Sequence, residues 1–419
     1  MPNWKFQRGQ AVVLVLITVA LLAIAGYYFF KSSVSISPKV KYSWIQYGPE
    51  NSLIARAITS DESCPKISIN FSESEMNVRA SKDKDGDVIV CEKNVPQDAT
   101  QISVAETQFK IPVKHPKKIL VIGDSGCRMK AGKFQDCNSP EAWPFAEVAK
   151  TAAEKNPDLI IHVGDYLYRE EECPAGNQGC AGSPVGYHFK TLEADFLAPA
   201  KPLLSKAPWI LIRGNHEICS RAGNLWFRFL DPYPYQAECQ NYSKPYFVDF
   251  ENIKTVNIDS SFGSDYTVVP AQVSAYKAQL DSIKDRLKGR WLISHKPVWS
   301  AKVFEDKEAK EKPEDETEAV PGEYEPDLLK YKNGLMPEQR LVSVTQTLES
   351  AVGSMVEDFN LIVAGHYHNF EMFSFDGVRP AEIISGNTGT LLEDEVKDQL
   401  NKLVVSGQEI AESKFYRDW

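Results

Sequence analysis

The hydrophobic pattern changes character twice along the chain. Ala11–Phe30 is an uncharged, apolar run of twenty residues behind Lys5 and Arg8. Twenty helical residues span about 30 Å, one bilayer core. The run predicts a membrane-spanning helix whose basic flank stays in the cytoplasm. A cleaved signal peptide is the alternative, because Ala23-Ile24-Ala25 fits an A-x-A cleavage site. Either reading exports the rest of the chain. The anchor or signal is expected over residues 1–31 and a polar linker over 32–41.

Residues 42–114 read as short strands. Lys66–Phe71 alternates with period two, Val88–Val90 and Phe109–Val113 look similar, and Asp83-Lys84-Asp85-Gly86 is a turn. No long amphipathic helix interrupts them, so a small β-sandwich-like domain is expected. From His115 to Trp419 the pattern becomes α/β. Buried-type strands are expected at Ile119–Ile122, Leu159–Val163, Trp209–Ile212, Trp291–Ile293 and Leu361–Val363. Between them lie amphipathic segments such as Ala271–Leu287 and Glu338–Val356, and a hairpin at Phe247–Phe250 and Thr255–Ile258. Leu391–Leu403 reads as helical, and Lys414–Tyr416 as a short apolar piece. The charged loop 305–327, densest over Glu305–Glu318, reads as solvated, with a mobile lid as the alternative.

Composition sharpens this picture in two places. The formal charge of -10 argues against a nucleic-acid surface, which needs clustered Lys and Arg. An anionic substrate must then be met locally, by metal ions or a few placed donors. The cysteines number eight, and an even count in an exported chain predicts disulfides. Neighbour pairing gives Cys64–Cys91, Cys127–Cys137, Cys173–Cys180 and Cys219–Cys239.

The chemistry lies where strands end. Five apolar runs stop at Gly123-Asp124, Gly164-Asp165, Gly214-Asn215-His216, Ser294-His295 and Gly365-His366-Tyr367-His368. Sites in α/β sheets form beyond the carboxyl ends of strands. Any one of these residues alone is a turn, a cap or a structural histidine. Five on one sheet edge, all Asp, Asn or His, point to metal. Carboxylate oxygen with imidazole suits a two-metal clamp that holds phosphate and activates water.

The ordered blocks GDSG, GDYLY, GNHE, LISH and GHYH resemble the signature of the purple acid phosphatases, within the calcineurin-like metallophosphoesterases. The one departure is Leu292 where the pattern has Val. The resemblance implies a four-layer αββα sandwich over 115–419, with a small all-β domain ahead of it. It implies Fe(III) held by Asp124, Tyr168 and His368, a divalent Fe, Zn or Mn ion held by Asn215, His295 and His366, and Asp165 bridging both. A metal-bound hydroxide would attack a phosphate monoester outside the cytoplasm, with His216 facing the small phosphorylated substrate as proton donor. Glu217 would orient His216 or serve the fold. Phosphodiesterase or nucleotidase activity on the same scaffold, and a non-catalytic envelope binding protein, are the competing functions. Among other residues, His162 is expected inside the fold, His115 in solvent, His188 at a helix start, and Arg128 and Arg213 in salt bridges or on phosphate.

Overall fold

The computed structural model describes residues 38–265, 268–300, 346–393, 404–405 and 408–416. The apolar run 11–30, the charged loop 305–327 and most of Leu391–Leu403 lie outside these residues. Among the described residues no helix is long and apolar enough to cross a membrane.

Two mixed sheets make up the core. The first contains β1 (Val40–Tyr47), β2 (Leu53–Thr59), β3 (Asn77–Ala80), β4 (Ile89–Val95), β5 (Ile119–Ile122), β6 (Leu159–His162) and β7 (Trp209–Leu211). Their spatial order is β3-β4-β2-β1-β7-β6-β5. The second contains β8 (Tyr246–Asp249), β9 (Lys254–Asn257), β10 (Arg290–Ile293), β11 (Phe359–Ala364), β12 (Phe370–Phe375), β13 (Ala381–Ser385), β14 (Val404–Val405) and β15 (Gln408–Tyr416). Here the order is β8-β9-β10-β11-β13-β12-β15-β14.

The strands of 42–114 do not close on themselves as a separate sandwich. β1 pairs in parallel with β7 at Gln46 and Trp209, so the N-terminal strands extend the sheet that carries the first three motifs. The reason is burial on both faces. Trp44 and Ile58 share an outer cluster with Ile160 and Trp209, while Ile45 and Ala55 share an inner cluster with Leu159 and Ile210. Four short strands, at Lys66–Ile69, Ser72–Glu75, Ile102–Val104 and Thr107–Gln108, form a satellite sheet beside it. The first stops at Ile69 because Asn70 and Phe71 turn with positive φ. Phe109–Val113 forms no strand, and its Pro112 has no N–H to give a ladder.

The layers follow from alternation along each strand. Leu159, Ile161, Ile210 and Ile212 of the first sheet pack against Val248, Ile293 and Val363 of the second. On the outer side of the first sheet, Phe145 and Ala149 of helix α1 (Phe145–Glu154) cover Ile122 and Ile160. Outside the second, Leu280 of α2 (Pro270–Asp281) and Leu348 of α3 (Gln346–Val352) cover Leu292 and Ile362. The result is helix, sheet, sheet, helix. Strands buried on both faces read as continuous apolar runs, which is why β5, β6, β7, β10 and β11 were legible. All four disulfides join the expected neighbours.

Candidate metal centre

The five motif loops leave the carboxyl ends of β5, β6, β7, β10 and β11. They do not share one sheet edge, as expected from sequence. Three belong to the first sheet and two to the second, and the site forms where the two edges meet. Asp124, Asp165 and His366 all hold positive φ, at 54°, 58° and 75°. Each such non-glycine conformation costs about 1–3 kcal/mol, and strain of this kind gathers at functional sites. Gly214 permits a very close approach. A Cβ there would lie 2.1 Å from Asp165 Oδ1.

All seven expected metal ligands come together, and all are buried. The Tyr168 hydroxyl lies 2.9 Å from Asp124 Oδ1, 2.7 Å from Asp165 Oδ2 and 3.0 Å from His368 Nε2. On the other side, Asn215 Oδ1 lies 2.8 Å from His295 Nε2 and 2.9 Å from His366 Nδ1. Asp165 Oδ2 joins the two groups, since it is also 3.3 Å from His295 Nε2. Ligand atoms of Asp165, His295 and His366 fall within 4.8 Å of one another.

The donor set fits cations, and the outer hydrogen bonds show why. His295 Nδ1 is 2.7 Å from the Val163 carbonyl, His368 Nδ1 is 3.0 Å from the Leu391 carbonyl, and His366 Nε2 is 3.0 Å from Asp265 Oδ2. Each of these outer nitrogens must carry the proton, because it faces only an acceptor. The inner nitrogens are then lone pairs aimed at oxygen lone pairs. One phenol proton cannot satisfy three acceptors, and Asn215 Nδ2 is buried without a partner. Cations at the two foci would pair the facing lone pairs, and the Asn215 amide N–H would remain for another acceptor. Outer bonds of this type fix the ring orientation of metal-binding histidines.

Burial, then the Asp165 charge, pushes the Asp124 carboxyl well above its ordinary range. Burial also opposes ionisation of Asp165, but the imidazoles of His295 and His216 hold it well below the usual carboxylate range. Tyr168 is pushed well above the ordinary phenol value by burial and by Asp124 and Asp165. A phenolate at Tyr168 therefore needs the positive charge of bound metal.

Gly126 lies two residues after Asp124 on the same loop, and its surroundings explain the glycine. A Cβ at residue 126 would meet both Cδ2 and the backbone nitrogen of Tyr168 at 2.9 Å. The phenol fills the space that any side chain on this loop would need. Gly126→Ala is expected to cost about 1–3 kcal/mol, as overpacking does. Urea denaturation measures it, and unchanged stability would contradict the packing argument.

The His216 ring lies tilted against Tyr168, with ring centroids 3.8 Å apart. Its Nε2 lies 3.9 Å from Asp165 Oδ2. Burial, then Arg221, lowers its imidazole to about 4. Sequence reasoning missed the group behind it. Glu170 Oε1 is 2.6 Å from His216 Nδ1 and also pairs with Arg221. Burial opposes ionisation of Glu170, yet His216 and Arg221 together hold it down to about 2. Arg221 Nη2, which can only donate, meets the same Nδ1 at 2.5 Å, so Glu170 and Arg221 together hold the ring with Nε2 toward the donor cluster. Glu170 and Asp265 fall outside the motif blocks, and their spacing from the ligands gave no signal.

Glu217 does not contact the His216 ring as an orienting group. Its carboxylate accepts the backbone N–H groups of Asp165 at 3.1 Å, Tyr166 at 2.9 Å and Gly214 at 3.1 Å. It braces two motif loops. His162 is buried as expected, stacked on Tyr166 and 3.1 Å from Ser125 Oγ. His115 is exposed, and His188 caps the short helix Phe189–Leu192. Arg213 is committed to the Glu217 and Gln240 carbonyls and to Asp259. Arg128 remains near the centre, where its charge adds to the burial that lowers His368 to about 3.

Known proteins resemble this chain in sequence and fold. The sequence signature described as calcineurin-like phosphoesterase matches residues 117–370. Purple acid phosphatase 23 of Arabidopsis thaliana is 23% identical over 222 residues, which cover 50% of this chain and 45% of that protein. The chain thus spans about half the length of this curated relative. The solved structure of a purple acid phosphatase from yellow lupin (Lupinus luteus) seeds matches with a TM-score of 0.53 at 11% identity, covering 92% of this chain and 69% of that one.

Proposed function

Given that the chain belongs to the calcineurin-like phosphoesterase family and is a metal-dependent phosphoester hydrolase, we propose that it hydrolyses phosphate monoesters outside the cytoplasm with a purple acid phosphatase-type centre. The observation that carries this reading is the Tyr168 hydroxyl, within 3.0 Å of Asp124, Asp165 and His368 donor atoms. A phenol in that position favours Fe(III). Asp124, Tyr168 and His368 would hold the iron, Asn215, His295 and His366 a divalent Fe, Zn or Mn ion, and Asp165 both. Two such cations would neutralise phosphoryl oxygens and lower the pKa of water at the site.

The chain's own residues do the rest. Glu217 and the three outer histidine bonds keep the donors in place before substrate arrives. Water gives up a proton to solvent as it adds to phosphorus, the ester P–O bond breaks, and His216 Nε2 gives its proton to the departing oxygen and regains one from solvent. Glu170 stabilises the imidazolium that this role requires. Four disulfides suit an oxidising compartment. With the apolar run 11–30, they support an enzyme anchored with its N-terminus inside, or secreted after cleavage following Ala25.

Loading with Fe(III) and Zn(II) is expected to give visible colour and turnover of p-nitrophenyl phosphate. Tyr168→Phe is expected to lose the colour. Colour that survives in Tyr168→Phe would overturn the iron assignment. Faster hydrolysis of bis(p-nitrophenyl) phosphate than of the monoester would move the activity to diesters.

A further inference from the structure

Asp195 is a buried carboxylate that the reaction above does not use. It stands in a five-residue π-helical turn, Glu193–Leu197, inside the first sheet's outer layer. Its Oδ1 accepts the Cys127 N–H at 3.1 Å, and its Oδ2 accepts the Tyr168 N–H at 2.9 Å. Arg169 Nε meets Oδ1 at 2.5 Å, while Arg169 Nη1 donates to Ser183 Oγ at 2.6 Å. The geometry at residue 126 closes the arrangement, since a Cβ there would lie 3.0 Å from Asp195 Oδ2.

The two N–H groups belong to different motif loops. Cys127 follows Asp124 on the loop after β5, and the Cys127–Cys137 disulfide fixes the far side of that loop. Tyr168 belongs to the loop after β6 that also carries Asp165. One carboxylate therefore grips the backbone of both loops. Side chains of the same two loops face each other at 2.9 Å, Tyr168 Oη to Asp124 Oδ1. We infer that Asp195 is a positioning residue that sets the Tyr168 phenol against Asp124. This rests on the reading of Tyr168 as an iron ligand. A merely structural ion pair with Arg169 would support the fold without setting that distance.

Asp195→Asn tests the inference in the full chain. An amide offers one acceptor where the carboxylate offers two, so one of the two N–H groups loses its partner. The double variant Asp195→Asn with Arg169→Gln avoids leaving a lone buried guanidinium, which can itself unfold a protein. In metal-stripped protein, hydrogen exchange is expected to quicken at least about tenfold at Cys127 or Tyr168 and not in the distant strands, because a freed amide opens locally. After Fe(III) loading, the phenolate-to-iron absorption band is expected to move or weaken. Turnover of p-nitrophenyl phosphate is expected to fall about 10²-fold in kcat with KM nearly unchanged, the cost of misplacing a group by about 1 Å.

Exchange unchanged at both residues would overturn the inference. So would a lower melting temperature with band and kcat as in the wild type, since that is the mark of a structural pair alone. Wild-type protein that binds iron without a visible band would defeat the Tyr168 reading instead. Exchange at Cys127 and Tyr168 would then still decide whether Asp195 holds the two loops together.

Discussion

Asp165→Asn is expected to lower kcat/KM by roughly 10³-fold or more, the range seen when a preorganised electrostatic group is removed from an active site. The carboxylate touches donor atoms in both halves of the set. Its Oδ2 is 2.7 Å from Tyr168 Oη and 3.3 Å from His295 Nε2. An amide keeps the shape but not the charge, so bound metal per chain is expected to fall below two. In metal-stripped protein stability is expected to change little, because losing the attraction of His295 and His216 for the Asp165 charge offsets the relief of its neighbours. The Asp165 charge adds to the burial that pushes up both Asp124 and Glu217, the latter to about 8. The amide removes that repulsion. Its oxygen can still accept the His216 N–H, now 2.9 Å from Oδ1, and its N–H can meet the His295 lone pair. Metal analysis, kinetics and a thermal melt of the stripped protein check all three. A variant that binds two ions and turns over normally would sink the bridging role.

The residues that make the donor set differ from those that support it in how legible they were in the sequence. Ligands at strand ends are chemically rare residues placed after glycine, and buried strands are unbroken apolar runs, so Asp124, Asp165, Asn215, His295, His366 and His368 could be found in order. Tyr168 needed the family resemblance, because a tyrosine three residues past an Asp has no metal signal of its own. The supporting groups carried no signal either. Glu170, Asp195 and Asp265 act through space, and each is an ordinary acidic residue until the fold sets it against an imidazole or a backbone N–H. The merged sheet was hidden for a similar reason. Alternation in Val40–Tyr47 predicts a strand, but nothing local names Trp209 as the partner of Gln46.

His216→Asn is expected to separate two roles for this residue by the leaving group. If Nε2 donates a proton to the departing oxygen, an alkyl phosphate should lose roughly 10²–10⁴-fold in kcat, the range of general acid catalysis. p-Nitrophenyl phosphate should lose much less, because p-nitrophenolate leaves without a proton. If His216 only holds the phosphoryl group, both substrates should suffer equally, and mainly in KM. The geometry favours the first outcome. Glu170 and Arg221 both meet Nδ1, at 2.6 and 2.5 Å, so the ring is held from that side with Nε2 directed inward, its plane tilted against Tyr168. An imidazole tied at one nitrogen to an ionised carboxylate is oriented and stabilised for proton transfer at the other. Equal losses for the two substrates would mean that Glu170 and Arg221 serve to place His216 against the phosphoryl group, and that the leaving oxygen takes its proton elsewhere.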